Sequence, residues 1–259
     1  MQRRQFMLIS GGTLLTIMSG SFFNNGIATT RRSEIKAIVF DAFPVFDPRP
    51  IFGLVKSTFP AHPGFGKAWF NKIFAYTWLR TSGDRYLDFL SVIGQALDYT
   101  AEAHGETLTP DSRKALLDIW FTLKPWPDVG VALEQLEARQ IKLAFLSNFT
   151  EDMLRTNARN GSIETRFDYL STDLARAFKP SQKAYALGTQ HFGMPKENIA
   201  FCAFAAWDAA GASWYGYPTV WVNRLGQKPE HLNAGKITQG RNIEILNNYI
   251  SANKVQERA

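Results

Sequence analysis

Four polar residues stand where short apolar runs of the sequence end, or in the loops just beyond them. Ligands of open parallel sheets bind at the carboxyl ends of the strands, so these side chains are expected to meet in one crevice. One carboxylate there could attack an electrophile, a lysine could keep it ionised, and a second acid could help to activate water. The four residues are Asp41, Ser147, Lys179 and Asp208. In combination they predict nucleophilic catalysis, although each residue type alone is more often a turn former, a helix cap or a solvated charge.

The apolar runs predict the strands that must position these residues. The runs are short and rich in β-branched and aromatic side chains, as buried parallel strands are, and helix-length segments separate them from Thr150 onward. The predicted strands cover residues 35–40, 141–146, 167–170, 199–203 and 219–222. This alternation predicts an α/β fold with a doubly wound parallel sheet. Thr150 is predicted to cap one helix, and Pro180 to lie in the first turn of another.

The long segment between the first two predicted strands shows no further strand pattern. Apolar and aromatic residues recur there at spacings of three and four, which predicts helices. The predicted helices cover residues 68–79, 86–100 and 116–123. We therefore predict a helical cap insertion at residues 51–125, within a core domain formed by residues 31–50 and 126–259. The aromatic residues of the insertion are expected to form the core of a helix bundle.

The composition excludes several classes of protein. With 259 residues, of which 45% are hydrophobic and 20% charged, the chain suits a globular fold rather than a fibre or a disordered protein. The single cysteine, Cys202, cannot form an intramolecular disulfide, and the four histidines lack the spacing of a metal site. Basic residues are dispersed, so nucleic-acid binding is not expected, whereas the formal net charge of +6 favours a small anionic substrate.

Residues 1–30 have the pattern of an export signal. They contain no acidic residue, open with Arg3-Arg4-Gln5-Phe6, continue through an apolar stretch to Met18 and end in small residues near Ala28. Paired arginines followed by phenylalanine resemble a twin-arginine signal, which addresses a folded protein to a translocase. We therefore predict export to the periplasm and cleavage after Ala28. No stable membrane anchor is expected, because the apolar stretch is shorter than a membrane span.

The motifs around the four polar residues resemble those of the haloacid dehalogenase superfamily, and within it the type II 2-haloacid dehalogenases. The likeness covers nearly all of residues 35–225. The matching segments are Ile38-Val39-Phe40-Asp41-Ala42-Phe43, Leu146-Ser147-Asn148, Lys179-Pro180 with Tyr185, residues 206–224 around Trp207-Asp208, and Tyr76-Thr77-Trp78-Leu79-Arg80 with Arg85-Tyr86 and Phe89 in the insertion. The resemblance implies a Rossmann-like core with a helical cap, no metal or cofactor, and a homodimer as a possible assembly.

The resemblance also implies a reaction. Phosphatases of the superfamily carry a second aspartate two positions after the nucleophile, and this chain has Phe43 there. The site is therefore expected to displace halide from C2 of a short 2-haloalkanoate, giving an aspartyl ester that water hydrolyses to an inverted 2-hydroxy acid. Asp41 would be the nucleophile, Lys179 would balance its charge, Ser147 would bind the substrate carboxylate and Asp208 would position water. The expected substrate-binding residues are Asn148 as part of a halide cradle, Tyr185 as a support for Lys179, and Phe43, Phe70 and Trp207.

Several positions depart from the family pattern. Pro44 and Val45 stand in place of a glycine and a threonine, Phe70 in place of a halide-binding arginine, and Ala203 and Ala205 in place of a serine and an asparagine. Apart from the glycine, each replacement removes a group that could form a hydrogen bond in the pocket. The candidates for a replacement cation are Lys67, Arg80 and Arg85. Two other interpretations stay open at this point: a non-catalytic binding protein, and a hydrolase that acts on another electrophile.

Overall fold

One six-stranded parallel sheet forms the centre of the protein. The computed structural model describes residues 33–255, so the predicted export signal at residues 1–30 lies outside the described residues. The strands are β1 (Ala37–Phe40), β2 (Lys142–Ser147), β3 (Asp168–Ser171), β4 (Ile199–Ala203), β5 (Thr219–Val222) and β6 (Ile237–Gly240). They are ordered β3-β2-β1-β4-β5-β6, and every neighbouring pair is parallel. The predicted fold class, a doubly wound parallel sheet, is confirmed.

Strand β1 lies in the middle of the sheet, paired with β2 on one side and β4 on the other. All four of its residues are buried, which explains the unbroken apolar sequence Ala37-Ile38-Val39-Phe40. The chain runs outward from β1 through β2 to β3 and then returns to start the second half of the sheet at β4. This reversal leaves a crevice at the carboxyl ends of β1 and β4, where open α/β sheets bind ligands.

The predicted strand positions agree closely with the structure, with one omission. Strands β4 and β5 have the predicted bounds, and the first three strands differ from the prediction by one or two residues at their ends. The sequence does not predict β6. This strand lies at the edge of the sheet and its residues are exposed or half-buried, so it lacks the apolar run that marks a central strand.

Between β1 and β2 the chain is helical, as predicted. The helices of this part are α1 (Ala42–Val45), α2 (Arg49–Thr58), α3 (Phe65–Ser82), α4 (Phe89–Ala103), α5 (Pro110–Asp118) and α6 (Val129–Glu137); those that follow are α7 (Glu151–Asn160), α8 (Gln182–Phe192), α9 (Ala206–Tyr215) and α10 (Ile245–Val255). The boundaries of the insertion at 51 and 125 stay a prediction. Within residues 33–255, no helix combines the length and the apolar character needed to cross a membrane.

One of the two predicted helix starts is confirmed. Thr150 caps α7, because its Oγ1 accepts a hydrogen bond from the amide of Met153 at 3.2 Å. The prediction for Pro180 is wrong: α8 begins at Gln182, with Ser181 as its N-cap, so the proline precedes the helix. The reason lies in the loop that precedes α8. The backbone amide of Lys179 donates to Oδ1 of Asn148, just after β2, and this bond holds the loop outside the helix.

The aromatic residues between β1 and β2 pack mainly on one another. Trp69 and Trp120 are buried, and their rings meet edge to face at a centroid distance of 5.9 Å. The indole Nε1 of Trp69 donates to the carbonyl of Ile93 at 3.0 Å, which ties α3 to α4. Phe74 and Trp78, also on α3, instead line a cavity next to the carboxyl end of the sheet. The expected bundle core is therefore present, and one side of it is open.

Candidate active site

Asp41 is the first residue after β1 and caps the short helix α1. Its Oδ2 accepts a hydrogen bond from the amide of Phe43 at 3.3 Å. Aspartate is favoured at such a position, because its side chain reaches the amide groups that a helix start leaves free. The side chain is 13% exposed and lines a cavity. The carboxylate is thus oriented by the backbone while remaining accessible from one side.

Lys179, in the loop after β3, lies between two carboxylates. Its Nζ donates to Asp41 Oδ1 at 2.8 Å and to Asp208 Oδ2 at 2.6 Å. The side chain is 1% exposed, and a buried charge of this kind is stable only when it is paired. Burial alone would lower the pKa of Lys179, but attraction by Asp208 and Asp41 outweighs burial and raises that pKa above its ordinary value. The lysine therefore stays protonated and neutralises one of the two negative charges.

Asp208 lies in the first turn of α9 and is almost fully buried. The hydroxyl of Tyr185 donates to its Oδ1 at 2.7 Å, while Lys179 occupies Oδ2. Burial raises the pKa of Asp208 to about 6, although the positive charge of Lys179 opposes the rise. Burial also raises the pKa of Tyr185, so the phenol keeps its proton and remains a donor. Asp208 is therefore charged above about pH 6 and can accept a proton there.

Ser147 and Asn148 stand at the carboxyl end of β2. Ser147 Oγ donates to Asp41 Oδ1 at 3.4 Å, and Asn148 Oδ1 accepts the backbone amide of Lys179 at 3.0 Å. Asn148 thus holds the loop that carries the lysine. Oδ1 of Asp41 receives two side-chain donors, whereas its Oδ2 receives only the amide of Phe43.

A small cavity, called here the inner cavity, opens beside the Asp41 carboxylate. Its volume is about 20 Å³, which is room for about one water molecule. It is lined by the polar residues Asp41, Ser147, Asn148, Lys179 and Asp208 and by the apolar residues Phe43, Phe74, Phe89, Phe149, Ala205 and Trp207. Polar groups on one side and aromatic rings on the other suit a small molecule with a charged end and an apolar end.

Among the described residues that line the inner cavity, Lys179 is the only cation. Arg80 is engaged elsewhere, because its guanidinium donates to Gln95 Oε1 at 2.6 Å and to the carbonyl of Arg85 at 3.0 Å. Lys67 lines a different, larger cavity. Arg85 lines a third cavity, together with Arg80. None of the three basic residues considered as a replacement for the family's arginine therefore lines the inner cavity.

Two of the predicted site residues, Tyr185 and Phe70, do not line the inner cavity. Tyr185 is fully buried behind Asp208, so this geometry gives it a contact with that carboxylate instead of the predicted contacts with substrate and Lys179. Phe70 stacks on Phe52 and Trp120 at centroid distances of 4.5 and 5.3 Å and lines the larger cavity. The other predicted residues, including Phe43 and Trp207, do line the inner cavity.

Three aromatic residues of the inner cavity were not predicted to lie in the site, although Phe89 belongs to the family-like pattern of the insertion. Phe149 directly follows Ser147-Asn148, so its place after a strand end was a usable signal. Phe74 and Phe89 belong to the aromatic pattern between β1 and β2, which is typical of a helix-bundle core. Nothing in their spacing indicates that these two rings face Asp41 rather than the bundle.

The chain is similar to known dehalogenases over most of its length. It is 33% identical over 201 residues to an (S)-2-haloacid dehalogenase from Pseudomonas sp. (strain YL), a match that covers 76% of this chain and 87% of the relative. It is 35% identical over 199 residues to haloacetate dehalogenase H-2 from Moraxella sp. (strain B), with coverage of 74% and 88%. No protein-family model matches the chain.

Solved structures with the same architecture include two L-2-haloacid dehalogenases. The crystal structure of one superposes with a TM-score of 0.81 at 30% identity and covers 85% of this chain and 100% of its own. The L-2-haloacid dehalogenase from Xanthobacter autotrophicus, with chloropropionic acid covalently bound, superposes with a TM-score of 0.76 at 27% identity and covers 84% and 98%. The likeness thus extends over both the sheet and the helices between β1 and β2.

Proposed function

The chain belongs to the 2-haloacid dehalogenase family, and we propose that it hydrolyses the carbon–halogen bond of 2-haloalkanoic acids to give 2-hydroxy acids and halide. The observation that carries the proposal is the position of Lys179 Nζ, within hydrogen-bond distance of both Asp41 and Asp208. One buried cation that holds two carboxylates at the carboxyl end of the central strand suits a two-step hydrolysis. One carboxylate then attacks the substrate, and the other accepts a proton from the attacking water.

In the first step, a carboxylate oxygen of Asp41 attacks C2 of the substrate. Oδ2 is the better placed oxygen, because Oδ1 is occupied by Lys179 and Ser147. The new bond between oxygen and C2 forms while the carbon–halogen bond breaks, and the bonding electron pair leaves with the halide. Attack from the side opposite the halogen inverts C2 and produces an ester of Asp41.

In the second step, water attacks the ester carbonyl carbon of Asp41 and gives a proton to Asp208. A pKa of about 6 makes this carboxylate an effective base near neutral pH. The bond between the carbonyl carbon and the alkoxide oxygen then breaks, and the alkoxide takes up a proton as it leaves. Each turnover consumes one water and releases one hydroxy acid, one halide and one proton.

Phosphoryl transfer is not favoured at this site. The position two residues after Asp41, where an acid could protonate a leaving alkoxide, is Phe43, whose ring packs against Phe149 and Phe204 at centroid distances of 5.3 and 5.6 Å. A halide leaves without a proton, so its departure needs no acid at that position. The apolar side chain is therefore compatible with displacement at carbon.

A non-catalytic role is not favoured either. The relatives that match the chain over most of their length are named as enzymes. The apolar replacements at Phe70, Ala203 and Ala205 leave the ion pairs of Lys179 with both aspartates in place. Phe70 and Ala205 line the cavities next to these ion pairs, so these replacements change the surroundings of the substrate and not the groups that attack it.

Release of halide by the purified full-length chain tests the proposal. With 2-chloropropionate or bromoacetate we expect halide and hydroxy acid in about equal amounts, and none from Asp41→Asn. The matched control is Asp47→Asn, which changes an aspartate that pairs with Arg49 outside the inner cavity and should retain activity. If no haloacid gives more halide with the natural chain than with Asp41→Asn, the proposed function is wrong.

We also propose that the protein is exported through the twin-arginine route. Support comes from the sequence alone, which combines Arg3-Arg4-Gln5-Phe6, an apolar stretch and the absence of acidic residues in residues 1–30. In a bacterial host with this translocase, the protein should be recovered from the periplasm, shortened after Ala28. A double change of Arg3 and Arg4 to lysine should keep it in the cytoplasm, whereas the same change at Arg31 and Arg32 should not. Equal distribution of both variants would contradict export by this route.

A further inference from the structure

A second cavity, called here the outer cavity, adjoins the inner one. Its volume is about 520 Å³, within the roughly 300–1,000 Å³ of small-molecule sites. Seven aromatic side chains give it a mainly apolar surface: Phe43, Phe52, Phe70, Phe74, Trp78, Phe204 and Trp207. A heavy atom in liquid water takes up roughly 30 Å³, so the six heavy atoms of 2-chloropropionate would fill only part of this space. The outer cavity is therefore larger than a short haloacid needs.

The two cavities share part of their lining. Phe43, Phe74, Ala205 and Trp207 line both of them. A molecule whose reacting carbon lies at Asp41 can therefore extend past these four side chains into the outer cavity. Three of the four are aromatic, and the fourth is an alanine whose small side chain leaves the passage free.

The apolar surface of the outer cavity is well supported by packing. Phe70 is stacked between Phe52 and Trp120, and Phe74 and Trp78 both pack against Trp207, at centroid distances of 5.2 and 5.7 Å. Rings held in this way keep the cavity open without having to rearrange when a ligand enters. An alkyl or aryl group placed against them loses contact with water, which is the main source of affinity for apolar ligands.

The charged residues of the outer cavity belong to exposed side chains. Lys67 and Lys228 line it and are exposed, together with the oppositely charged Glu230. Hydrated ammonium groups attract an anion toward an opening but hold it weakly. They suit the entry of a carboxylate substrate better than the tight binding of a second acidic group.

We infer that the outer cavity binds the substituent on C2 of the substrate, and that the preferred substrates are 2-haloalkanoates with an apolar side chain of several carbons. This inference rests on the proposed function. Because the inner cavity holds only about one water molecule, C2 would lie where the two cavities meet, next to Asp41, and the side chain on C2 would extend past Ala205 into the outer cavity. A substrate with only a methyl group at C2 would leave most of the outer cavity filled with water.

A chain-length series tests this specificity with the purified full-length chain. The substrates are bromoacetate, 2-bromopropionate, 2-bromobutanoate, 2-bromohexanoate and 2-bromooctanoate. We expect kcat/KM to rise by about threefold to fourfold per added methylene until the cavity is filled. A fall beyond 2-bromopropionate would overturn the inference and leave the proposed function intact. Absence of halide release from every acid would overturn the proposed function itself.

A larger side chain at Ala205, where the inner and outer cavities meet, makes the test specific to the outer cavity. Ala205→Leu should lower the ratio of kcat/KM for 2-bromohexanoate to that for 2-bromopropionate by at least about tenfold. The matched control is Ala138→Leu, the same change at an exposed position after α6, which should leave the ratio unaltered. An unchanged ratio in Ala205→Leu would contradict the inference.

Binding without turnover gives an independent measure. In Asp41→Asn, calorimetry should show hexanoate binding more tightly than propionate by at least about tenfold, and Ala205→Leu added to this variant should abolish the difference. Equal affinity for the two acids in Asp41→Asn would overturn the inference even if turnover is too slow to measure.

Discussion

Lys179 holds two carboxylates with a single positive charge, which leaves one negative charge uncompensated in this buried group. Attack by Asp41 removes that excess, because the esterified carboxyl is neutral and the negative charge leaves with the halide. Lys179 and Asp208 then remain as a balanced pair beside the ester. The arrangement therefore favours ester formation and keeps a base close to the carbonyl that water must attack.

Replacement of the lysine tests this balance at the residue scale. Lys179→Met leaves Asp41 and Asp208 facing each other without a cation, and breaking a buried pair typically costs about 3–5 kcal/mol. We expect kcat/KM for halide release to fall by at least about a hundredfold. The control is Lys183→Met, which changes an exposed lysine on α8. Its kcat/KM for halide release should stay close to that of the natural chain. Activity of Lys179→Met within tenfold of that control would show that the charge balance is not needed.

The pH dependence of activity tests the role of Asp208. Because its pKa is raised to about 6, the ionised base is lost as the pH falls through that value, and kcat, which includes hydrolysis of the ester, should rise with pH across it. The hydrogen bond from Tyr185 stabilises the charged form and lowers the pKa of Asp208. In Tyr185→Phe, the pH at which activity rises should therefore shift to a higher value.

The control for this shift is Tyr215→Phe. The hydroxyl of Tyr215 forms a hydrogen bond with Thr189 and does not contact Asp208, so its removal should not shift the pH at which activity rises. If the pH of the activity rise is the same in Tyr185→Phe as in the natural chain, the tyrosine supports the fold without influencing the pKa of Asp208.

The strands that position the site could be predicted from the sequence where both faces of the strand are buried. Strands β4 and β5 were predictable to the residue, because central strands read as unbroken apolar runs between turns. The edge strand β6 was not, because its half-exposed positions allow polar residues. The same limit applies to Phe74 and Phe89: their types indicate burial, but not which of two apolar surfaces they cover.

One buried side chain ties α7 to the segment between β1 and β2. Asn157 donates through Nδ2 to the carbonyl of Trp120 at 2.8 Å and accepts from the amide of Leu123 at 2.9 Å. Asn157→Ala leaves both backbone groups buried without a partner, at about 1–3 kcal/mol each. We expect the free energy of unfolding, measured with urea, to fall by about 2–6 kcal/mol.

Asn160 provides the comparison on the same helix. Its Nδ2 donates to the carbonyl of Phe121 at 2.9 Å, but at an exposed position where water can replace the bond. Asn160→Ala should therefore lower the free energy of unfolding by less than about 1 kcal/mol. Equal losses in the two variants would show that the buried link to Trp120 and Leu123 contributes no special stability.

At the scale of the whole protein, the sequence predicted the reaction more completely than the shape of the site. Asp41, Ser147, Lys179 and Asp208 could be selected because each follows a recognisable strand, and the topology of the sheet brings strand ends together. The position of Tyr185 behind Asp208 and the existence of the outer cavity depend on packing between distant segments, which spacing along the chain does not encode. We therefore expect substrate size to depend on how the helices between β1 and β2 pack against the segments after β4 and β5, and the chemistry to depend on the strand ends.

Nucleophilic attack by Asp41 is tested most directly by following the oxygen of water during a single turnover. The purified full-length chain, in excess over 2-bromopropionate, is reacted in water labelled with heavy oxygen, and both the hydroxy acid and the peptide that contains Asp41 are weighed by mass spectrometry. Because water attacks the ester carbonyl, we expect the label in the carboxylate of Asp41, while the released hydroxy acid carries unlabelled oxygen from that carboxylate. Label in the first hydroxy acid and none in the peptide would mean that water attacks C2 directly, and would contradict nucleophilic attack by Asp41.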